Sequence, residues 1–193
     1  MTKIKIITST NRSVGKGRII ANWIESIVKE DANFEVEILD LNEINLPFMN
    51  EPHHPMAQNY QFEHTKQWSK KIDEADAFII VLGEYNYGFP APIKNALDYL
   101  FKEWQYKPVG LVSYGGISGG LRATQMLKPV LTTLGMMPLT QQVTLPFFSR
   151  DIDENDLFQA NESAVRSAHT MLTEIKKWSK SLKNIRLQEK DKV

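Results

Sequence analysis

Residues 76–100 read DAFIIVLGEYNYGFPAPIKNALDYL, an apolar run followed by a polar, aromatic loop and a proline-bounded segment. The run at 76–82 is short and rich in Ile, Val and Leu, which is typical of a buried strand. From about Ala91, apolar residues recur at spacings of three and four, which predicts a helix. Pro90 and Pro92 suit the first turn of that helix, where a missing N–H costs little. The stretch therefore predicts a strand, a loop and a helix.

The same alternation of strand and helix runs through the whole chain. Short apolar segments predict strands at 3–9, 34–41, 76–82, 108–116 and 138–146. Because these segments are apolar throughout rather than alternating, they indicate a parallel sheet covered by helices on both faces. Right-handed crossovers and five strands favour the strand order 2-1-3-4-5. We therefore expect an α/β fold with a five-stranded parallel sheet between two helical layers.

Helices are predicted between and after the strands. Apolar residues at helical spacing place them at about 18–30, 59–75, 91–104, 121–135 and 155–182. Pro129 lies inside the fourth helix and should bend or divide it, and the last helix is expected to bury Leu157. Residues 184–193 are charged and are expected to form a frayed tail. Without internal repeats, residues 1–193 are expected to form a single domain.

Composition limits the class of function. Twenty-three basic side chains balance 23 acidic ones, so the formal net charge is zero. A nucleic-acid or anionic-membrane partner is therefore not expected, because the basic surface that attracts such partners is missing overall. Cysteine is absent, which excludes disulfides, thiolate zinc sites and thiol redox chemistry. With no membrane-length apolar run and no secretory signal, the expected location is the cytoplasm.

The candidate ligand site lies at one edge of the predicted sheet. In open parallel sheets, ligands bind beyond the carboxyl ends of the strands, near the point where the strand order reverses. The loops at that edge read STNRSVGKGR (9–18), GEYNYGFP (83–90) and SYGGISGG (113–120). They are rich in Gly, Ser, Asn and aromatic residues, whereas the loops at the opposite edge are plain charged turns. We therefore expect these three loops to form a binding site.

The first loop has the composition of a phosphate site. The side chains that could contact an anion are Ser9, Thr10, Arg12, Ser13, Lys16 and Arg18. Gly15 and Gly17 would let the backbone approach an anion at the start of the next helix, where unsatisfied N–H groups carry partial positive charge. Neither the dinucleotide fingerprint nor the Walker loop is present. A solvated turn that only caps the helix is the alternative interpretation.

The other two loops suit a flat heteroaromatic ligand. Tyr85 and Tyr87 could stack on a ring, and Asn86 could donate and accept hydrogen bonds at its edge. In the fourth-strand loop, Gly115 and Gly116 would allow the backbone to approach a ligand closely. The alternatives are a turn whose tyrosines pack on their neighbours, and a flexible glycine turn.

These motifs resemble those of the NADPH-dependent FMN reductase family, a flavodoxin-like group that includes azoreductases and quinone reductases. After its third strand the family carries P-E-Y-N-x-S-x-P-G-x-L-K-N-A-x-D. This chain matches the pattern at Glu84, Tyr85, Asn86, Pro90, Lys94, Asn95, Ala96 and Asp98. STNRSVGKGR and SYGGISGGLRA are similar to the family's first and fourth loops, while Gly83 and Gly88 depart from its usual Pro and Ser. The resemblance spans roughly residues 3–148 and implies a flavodoxin-like three-layer sandwich.

The resemblance implies an FMN-dependent enzyme. Its expected cofactor-binding residues are Ser9, Thr10, Arg12, Gly15, Lys16, Gly17, Glu84, Tyr85, Asn86, Tyr87, Ser113, Tyr114, Gly115 and Gly116. The phosphate would lie on Thr10, Arg12, Lys16 and Gly17. The isoalloxazine ring would lie against Glu84, Tyr85 and Asn86, with Ser113, Gly115 and Gly116 on its far side. NADPH or NADH would give hydride to flavin N5, and an acceptor such as free flavin, a quinone or an azo compound would take the electrons. No catalytic acid or base is expected, because the chemistry belongs to the cofactor.

Two other functions stay open at this point: a flavodoxin-type electron carrier without nicotinamide turnover, and a flavin-free binding protein. The neutral charge disfavours a carrier, because flavodoxins as a group are strongly acidic. The identity of the acceptor and the choice between NADPH and NADH stay open as well.

Three further expectations concern the periphery of the site. The resemblance implies a homodimer or homotetramer, and two-fold dimers are the commonest oligomers. The long connection at 42–58 could roof the cofactor, or the loop over the cofactor could come from a neighbouring subunit, since connections of this length are often functional. His53 and His54 invite a metal interpretation, but adjacent histidines point in different directions on an extended chain. No metal site is expected.

Overall fold

The sheet has the order that the sequence predicts. The computed structural model describes residues 1–190, and its five parallel strands lie in the order β2-β1-β3-β4-β5. The strands are β1 (Thr2–Thr8), β2 (Phe34–Leu39), β3 (Ala77–Gly83), β4 (Pro108–Gly115) and β5 (Met137–Pro146). Thr8 pairs with Val81 and Leu82 with Ser113, so β1, β3 and β4 end near one another at one edge. The predicted α/β fold and strand order are confirmed.

Helices cover both faces of the sheet. They are α1 (Gly17–Val28), α2 (Leu41–Ile44), α3 (Glu63–Asp73), α4 (Ala91–Asp98), α5 (Leu121–Thr133) and α6 (Glu162–Lys190). One hydrophobic layer includes Ile24 of α1 and Met171 of α6, and the other includes Trp68, Leu97 and Leu127 of α3, α4 and α5. Strand β3 is buried at all seven positions, as expected of a central strand in a doubly covered sheet. In the described part of the chain, no helix has both the length and the apolar character needed to cross a membrane.

Helix α6 begins later than the sequence predicts. Its start is fixed by Asn161, whose side-chain oxygen accepts the N–H of Ala164 at 2.9 Å in the manner of an N-cap. Before it, the Asp153 carboxylate accepts the N–H groups of Asn155 and Leu157 and holds a turn. Leu157 therefore lies outside the helix and is 59% exposed, so the prediction that a helix from about 155 buries it is wrong.

Helix α6 also extends further than predicted. Asp76, at the amino edge of the sheet, pairs with Lys183 at 3.0 Å and with Arg186 at 2.9 Å. Arg186 also donates to the carbonyl of Tyr106 at 2.8 Å. These contacts attach the end of the helix to the sheet, and the chain is helical to Lys190 although the sequence predicts a helix end near residue 182. The remainder of the predicted tail, 191–193, lies outside the described residues.

Pro129 does not divide α5. The helix runs without a break from Leu121 to Thr133, although a proline inside it has no N–H to donate. Leu127 and Leu131 are fully buried on the face that packs on the sheet. We attribute the continuity to this burial, which offsets the lost hydrogen bond. Of the two predicted effects, a bend or a division, the division does not occur.

Candidate functional site

A cleft of about 400 Å³ opens at the carboxyl edge of the sheet. The loops after β1, β3, β4 and β5 surround it, as expected for the ligand edge of an open parallel sheet. We call it the central cleft. Its lining residues are Thr10, Arg12, Val14, Gly15, Lys16, Gly83, Glu84, Tyr85, Tyr114, Gly115, Gly116, Phe147, Phe148 and Ser149.

The central cleft brings together most of the residues that the sequence selects. Those that line it are Thr10, Arg12, Gly15, Lys16, Glu84, Tyr85, Tyr114, Gly115 and Gly116. Those that do not are Ser9, Gly17, Asn86, Tyr87 and Ser113. Ser9 lies beneath the cleft, where its hydroxyl accepts the N–H of Gly83 at 3.0 Å. Ser113 is buried, and its hydroxyl donates to the Val143 carbonyl. Ser9 and Ser113 therefore support the surrounding strands rather than face the cleft.

The start of α1 supplies N–H groups that no side chain in residues 1–190 caps. Lys16 occupies the N-cap position without a side-chain hydrogen bond to the backbone, and the first turn contains no acidic residue. The turn before it is tight, because a Cβ on Gly15 would lie 2.8 Å from the Arg12 carbonyl oxygen. Arg12 and Lys16 add positive charge at the same place. The chemistry of this corner suits an anion such as phosphate.

Two of the cations near this corner already have acidic partners. Lys16 Nζ lies 2.8 Å from an oxygen of Asp156, in the segment that follows β5. Arg18 pairs with Asp40 at 3.3 Å and with Glu43 at 2.9 Å, and it is not among the residues that line the cleft. Arg18 therefore does not contribute to the central cleft, in contrast to its place in the predicted anion loop.

Glu84 links the third-strand loop to the fourth-strand loop. Its carboxylate accepts hydrogen bonds from the Ser118 hydroxyl at 2.9 Å and from the backbone N–H groups of Arg122 at 3.1 Å and Ala123 at 3.3 Å. The Arg122 guanidinium lies 3.2 Å away. Burial alone would raise the pKa of the Glu84 carboxyl, but these hydrogen bonds outweigh it and hold that pKa below its ordinary value. Glu84 is therefore an ionised cap on α5.

The loop after β3 forms a two-residue turn. Tyr85 and Gly88 exchange both backbone hydrogen bonds at 2.9 Å, and Asn86 and Tyr87 between them have φ values of 49° and 71°. Positive φ at both central positions is typical of a type I′ turn, although a tyrosine seldom adopts it. The Arg122 guanidinium lies 4.1 Å from the centre of the Tyr87 ring. Asn86 and Tyr87 consequently sit on the rim, and Tyr85 alone of the three lines the cleft.

Tyr114 fills the floor between the first and third loops. A Cβ on Gly17 or on Gly83 would lie only 2.9 Å or 3.0 Å from its hydroxyl oxygen, so both glycines make room for the tyrosine. Its ring contacts Phe148 edge to face, with centroids 4.8 Å apart. Burial raises the pKa of Tyr114 to about 12, although the neighbouring Thr10 and Ser9 hydroxyls act in the opposite direction. The phenol therefore keeps its proton at neutral pH.

Sequence reasoning missed the fourth side of the cleft. Phe147, Phe148 and Ser149 follow directly after β5 and line the cleft. The rule that selected the other loops also applies here, because β5 is parallel to its neighbours and ends at the same edge. In the sequence, two adjacent phenylalanines are typical of a buried core position, which hides the place of Phe147 and Phe148 at the ligand edge. In the structure, Phe147 is 41% exposed, and the Arg150 guanidinium lies over its ring, 4.5 Å from the ring centre.

The connection at 42–58 does not line the central cleft. Asn95 of α4 holds it, because its side chain accepts the N–H of Met49 at 2.9 Å and donates to the Pro47 carbonyl at 2.7 Å. Tyr99 donates to the same carbonyl at 3.0 Å. In residues 1–190, no group of three or more histidine, aspartate or glutamate side chains is arranged to hold a metal ion.

An open parallel sheet of this order, with an anion-type loop after β1 and an aromatic loop after β3, defines a flavodoxin-like protein. The sequence pattern of NADPH-dependent FMN reductases matches residues 2–150. The chain belongs to this family, and the resemblance inferred from its motifs is confirmed. It is accordingly an oxidoreductase whose cofactors are FMN and NAD(P)H.

Individual relatives agree with this assignment. An NAD(P)H-dependent FMN reductase of Schizosaccharomyces pombe is 43% identical over 148 residues, which cover 75% of this chain and 74% of the relative. An NADPH azoreductase of a Bacillus species is 27% identical over 188 residues, covering 96% and 97% of the two chains. The solved flavoenzyme NAD(P)H:(acceptor) oxidoreductase of Paracoccus denitrificans has a TM-score of 0.75 at 17% identity, with 94% and 98% of the chains covered. At 17% identity, this structural similarity shows a shared fold and nothing more.

Proposed function

We propose that the central cleft binds FMN and that the protein transfers electrons from NAD(P)H through it to a small-molecule acceptor. One observation carries the placement of the cofactor phosphate. Helices α1 and α5 both begin at this edge of the sheet, and the Glu84 carboxylate caps the start of α5 while no side chain caps the start of α1. An anionic group is therefore favoured at α1, where Arg12 and Lys16 add charge.

The residues along the cleft fit the rest of the cofactor. Tyr85, Phe147 and Phe148 offer aromatic surface, and Gly115 and Gly116 offer backbone without side chains. A Cβ on Gly116 would meet nothing within 4 Å, so this side of the cleft leaves room for a ring. When bound, FMN supplies the two-electron chemistry that accepts hydride from nicotinamide at N5 and passes electrons to the acceptor.

The protein groups around the cleft orient and bind rather than exchange protons. Glu84 is ionised and its oxygens are taken up by four donors, so it is a poor general acid. Tyr114 retains its proton at neutral pH because its pKa lies at about 12. Its hydroxyl can therefore donate a hydrogen bond toward the anion corner throughout the neutral range. We assign no catalytic acid or base.

The class of acceptor follows from the openness of the cleft and from the relatives. Free flavin, quinones and azo compounds are planar molecules that could stack on an exposed flavin ring, and the names of the relatives include FMN reductase and azoreductase. We further propose a homodimer or homotetramer, supported by the exposed Leu121 and Met126 on α5 beside the cleft. The expected cytoplasmic location stays a prediction.

An anaerobic titration tests the proposal. The protein is loaded with FMN, its absorbance spectrum is recorded, and NADPH or NADH is added. Rapid loss of the flavin absorbance, followed by reoxidation on adding a quinone, is the expected result. Flavin that stays oxidised for minutes with both nicotinamides would indicate a flavodoxin-type electron carrier. Failure to retain FMN at all would indicate a flavin-free binding protein.

A further inference from the structure

A second cleft, of about 450 Å³, lies beside the central one at the same edge of the sheet. We call it the side cleft. Its lining residues are Asn11, Leu41, Asn45, Leu46, Pro47, Phe48, Ala91, Pro92 and Asn95. They come from the loops after β1 and β2 and from the start of α4, and none of them carries a charge. The side cleft therefore lacks the cationic side chains that would bind a phosphate in the central cleft.

Two amide groups face this cleft without partners. Among the described residues, neither the side chain of Asn11 nor that of Asn45 takes part in a hydrogen bond, whereas Asn95 uses its amide to hold the backbone at 47–49. Asn45 ends α2 with φ 48°, a conformation that asparagine tolerates. A free amide offers a donor and an acceptor side by side. Such a pair is complementary to the edge of adenine, which asparagine recognises through N6 and N7.

Phe48 adds an aromatic surface to the side cleft. The side chain is 85% exposed, while the backbone on both sides of it is fixed by Asn95 and Tyr99. An exposed phenylalanine on a fixed backbone loses little freedom when a flat ring stacks on it. Leu46, Pro47 and Pro92 complete an apolar wall. The side cleft thus combines a stacking ring with amide groups, and lacks charge.

The two clefts are bordered by the same two loops. Asn11 lines the side cleft, and its immediate neighbours Thr10 and Arg12 line the central cleft. The connection between β3 and α4 also borders both, with Tyr85 on one side and Ala91 on the other. A molecule with a planar group at each end could therefore occupy both clefts at once.

We propose that the side cleft binds the adenine end of the nicotinamide dinucleotide while its nicotinamide end reaches the central cleft. This inference rests on the proposed function, which supplies the dinucleotide, and it adds the place where the non-reacting end is held. Adenine is neutral, planar and edged with both donors and acceptors, which matches the free amides, the Phe48 ring and the uncharged lining. Asn11, Asn45 and Phe48 are the recognising residues.

Direct binding provides a test that does not depend on turnover. Adenosine is titrated into the protein, with and without FMN, and followed by NMR of backbone and asparagine side-chain amides. We expect adenosine to change the chemical shifts of the Asn11 and Asn45 amides. Phe48→Ala should raise the dissociation constant for adenosine about 5- to 150-fold, the range that corresponds to base–aromatic stacking. Met56→Ala, an exposed apolar residue in the same connection that lines neither cleft, is the control and should bind as the wild type does. If adenosine changed only the chemical shifts of residues that line the central cleft, the proposal would be overturned.

Kinetics with a truncated donor provide a second test. Reduced nicotinamide mononucleotide carries the same reacting ring as NADH but has no adenosine. We expect Phe48→Ala and Asn45→Ala to lower kcat/KM for NADH several-fold and to leave kcat/KM for the mononucleotide unchanged. An equal loss with both donors would overturn the proposal, because it would place these residues at the reacting ring or in the fold.

Two other occupants give distinct results, and either would overturn the proposal. If a neutral aromatic acceptor uses the side cleft, Phe48→Ala raises KM for a small benzoquinone and leaves the ratio of NADH to mononucleotide turnover unchanged. If a second copy of the chain covers it, Phe48→Ala changes the oligomeric state in size-exclusion chromatography and adenosine binding is unaffected. If the protein proves to lack nicotinamide turnover, the adenosine titration still decides whether the side cleft recognises adenine.

Discussion

The Glu84 carboxylate accepts the backbone N–H of Arg122 at 3.1 Å and thereby caps the start of α5 from a different loop. This contact gives the two helix starts at the carboxyl edge opposite roles. At α5 the positive end of the helix dipole is compensated by Glu84, whereas the first turn of α1 contains no acidic residue. The glutamate of the family motif is therefore explained here by capping rather than by contact with a substrate.

Replacing Glu84 by Gln tests this role through its pH dependence. The folded-state pKa of Glu84 is lowered, so its ionised form contributes stability above the unfolded value of about 4.3, and that contribution is lost as the pH falls through the folded-state pKa. At pH 7 we expect Glu84→Gln to reduce the free energy of unfolding by about 1–3 kcal/mol. Urea unfolding between pH 7 and pH 3 should show that the difference in free energy of unfolding between the wild type and Glu84→Gln becomes smaller as the pH falls. Glu162→Gln, at a highly exposed position, is the control, and a gap independent of pH would contradict the assignment.

Removing the cations of the first loop should weaken FMN binding. Arg12→Ala and Lys16→Ala are each expected to raise the dissociation constant about tenfold or more, because hydrogen bonds to charged groups are worth roughly 1.5–3 kcal/mol. Quenching of FMN fluorescence measures the effect. Arg166→Ala, on the surface of α6, should not change it. Loss of the salt dependence of binding in the loop variants would support a direct phosphate contact, and unchanged affinity in both would place the phosphate elsewhere.

If FMN binds as proposed, its phosphate and Asp156 share Lys16 as a partner. In the ion pair, Lys16 Nζ lies 2.8 Å from the Asp156 carboxylate, and both side chains are largely exposed. Asp156→Asn keeps a residue that tolerates the φ of 56° at this position and removes the competing charge. We expect FMN to bind a few-fold more tightly, because exposed pairs contribute roughly 0.2–1 kcal/mol. The same fluorescence titration at low and high salt measures the change, and weaker binding would show that Asp156 assists the site instead.

Gly17 and Tyr114 should behave as a coupled pair. Gly17→Ala would place a Cβ 2.9 Å from the Tyr114 hydroxyl, and overpacking of this kind costs about 1–3 kcal/mol of folding stability. Tyr114→Phe removes that oxygen, so the double variant should lose less stability than the sum of the two single changes. A double-mutant cycle of urea unfolding measures the coupling. Strict additivity would mean that the alanine is accommodated by a backbone shift.

The sequence predicted the architecture because the signals for it are local and repeated. Apolar runs such as 77–82 and the helical spacing after Ala91 each specify an element, and connection rules then leave few arrangements. Thr10, Arg12 and Tyr85, which the same reasoning selected, line the central cleft; their contact with a cofactor stays a prediction. What failed depended on contacts distant in sequence: α6 extends because Asp76 pairs with Arg186, across 110 positions of the chain.

Within the site, the selected residues that do not line the cleft are displaced for a conformational reason. Asn86 and Tyr87 were expected to face the ligand because of their chemistry, but the turn between Tyr85 and Gly88 carries them to the rim. A residue list cannot show which way a turn residue points. Phe148 was missed for the converse reason, since its apolar character indicates a core position until the strand before it is seen to end at the ligand edge.

The loops around the central cleft are fastened to one another by hydrogen bonds between protein groups. Ser9 receives the N–H of Gly83, which ties the first loop to the third, and the Ser118 hydroxyl donates to Glu84, which ties the third to the fourth. A receptor assembled in advance has little ordering entropy to lose upon association. FMN should therefore combine with the apoprotein in a single kinetic phase whose rate rises linearly with concentration, without the plateau that a slow rearrangement would impose.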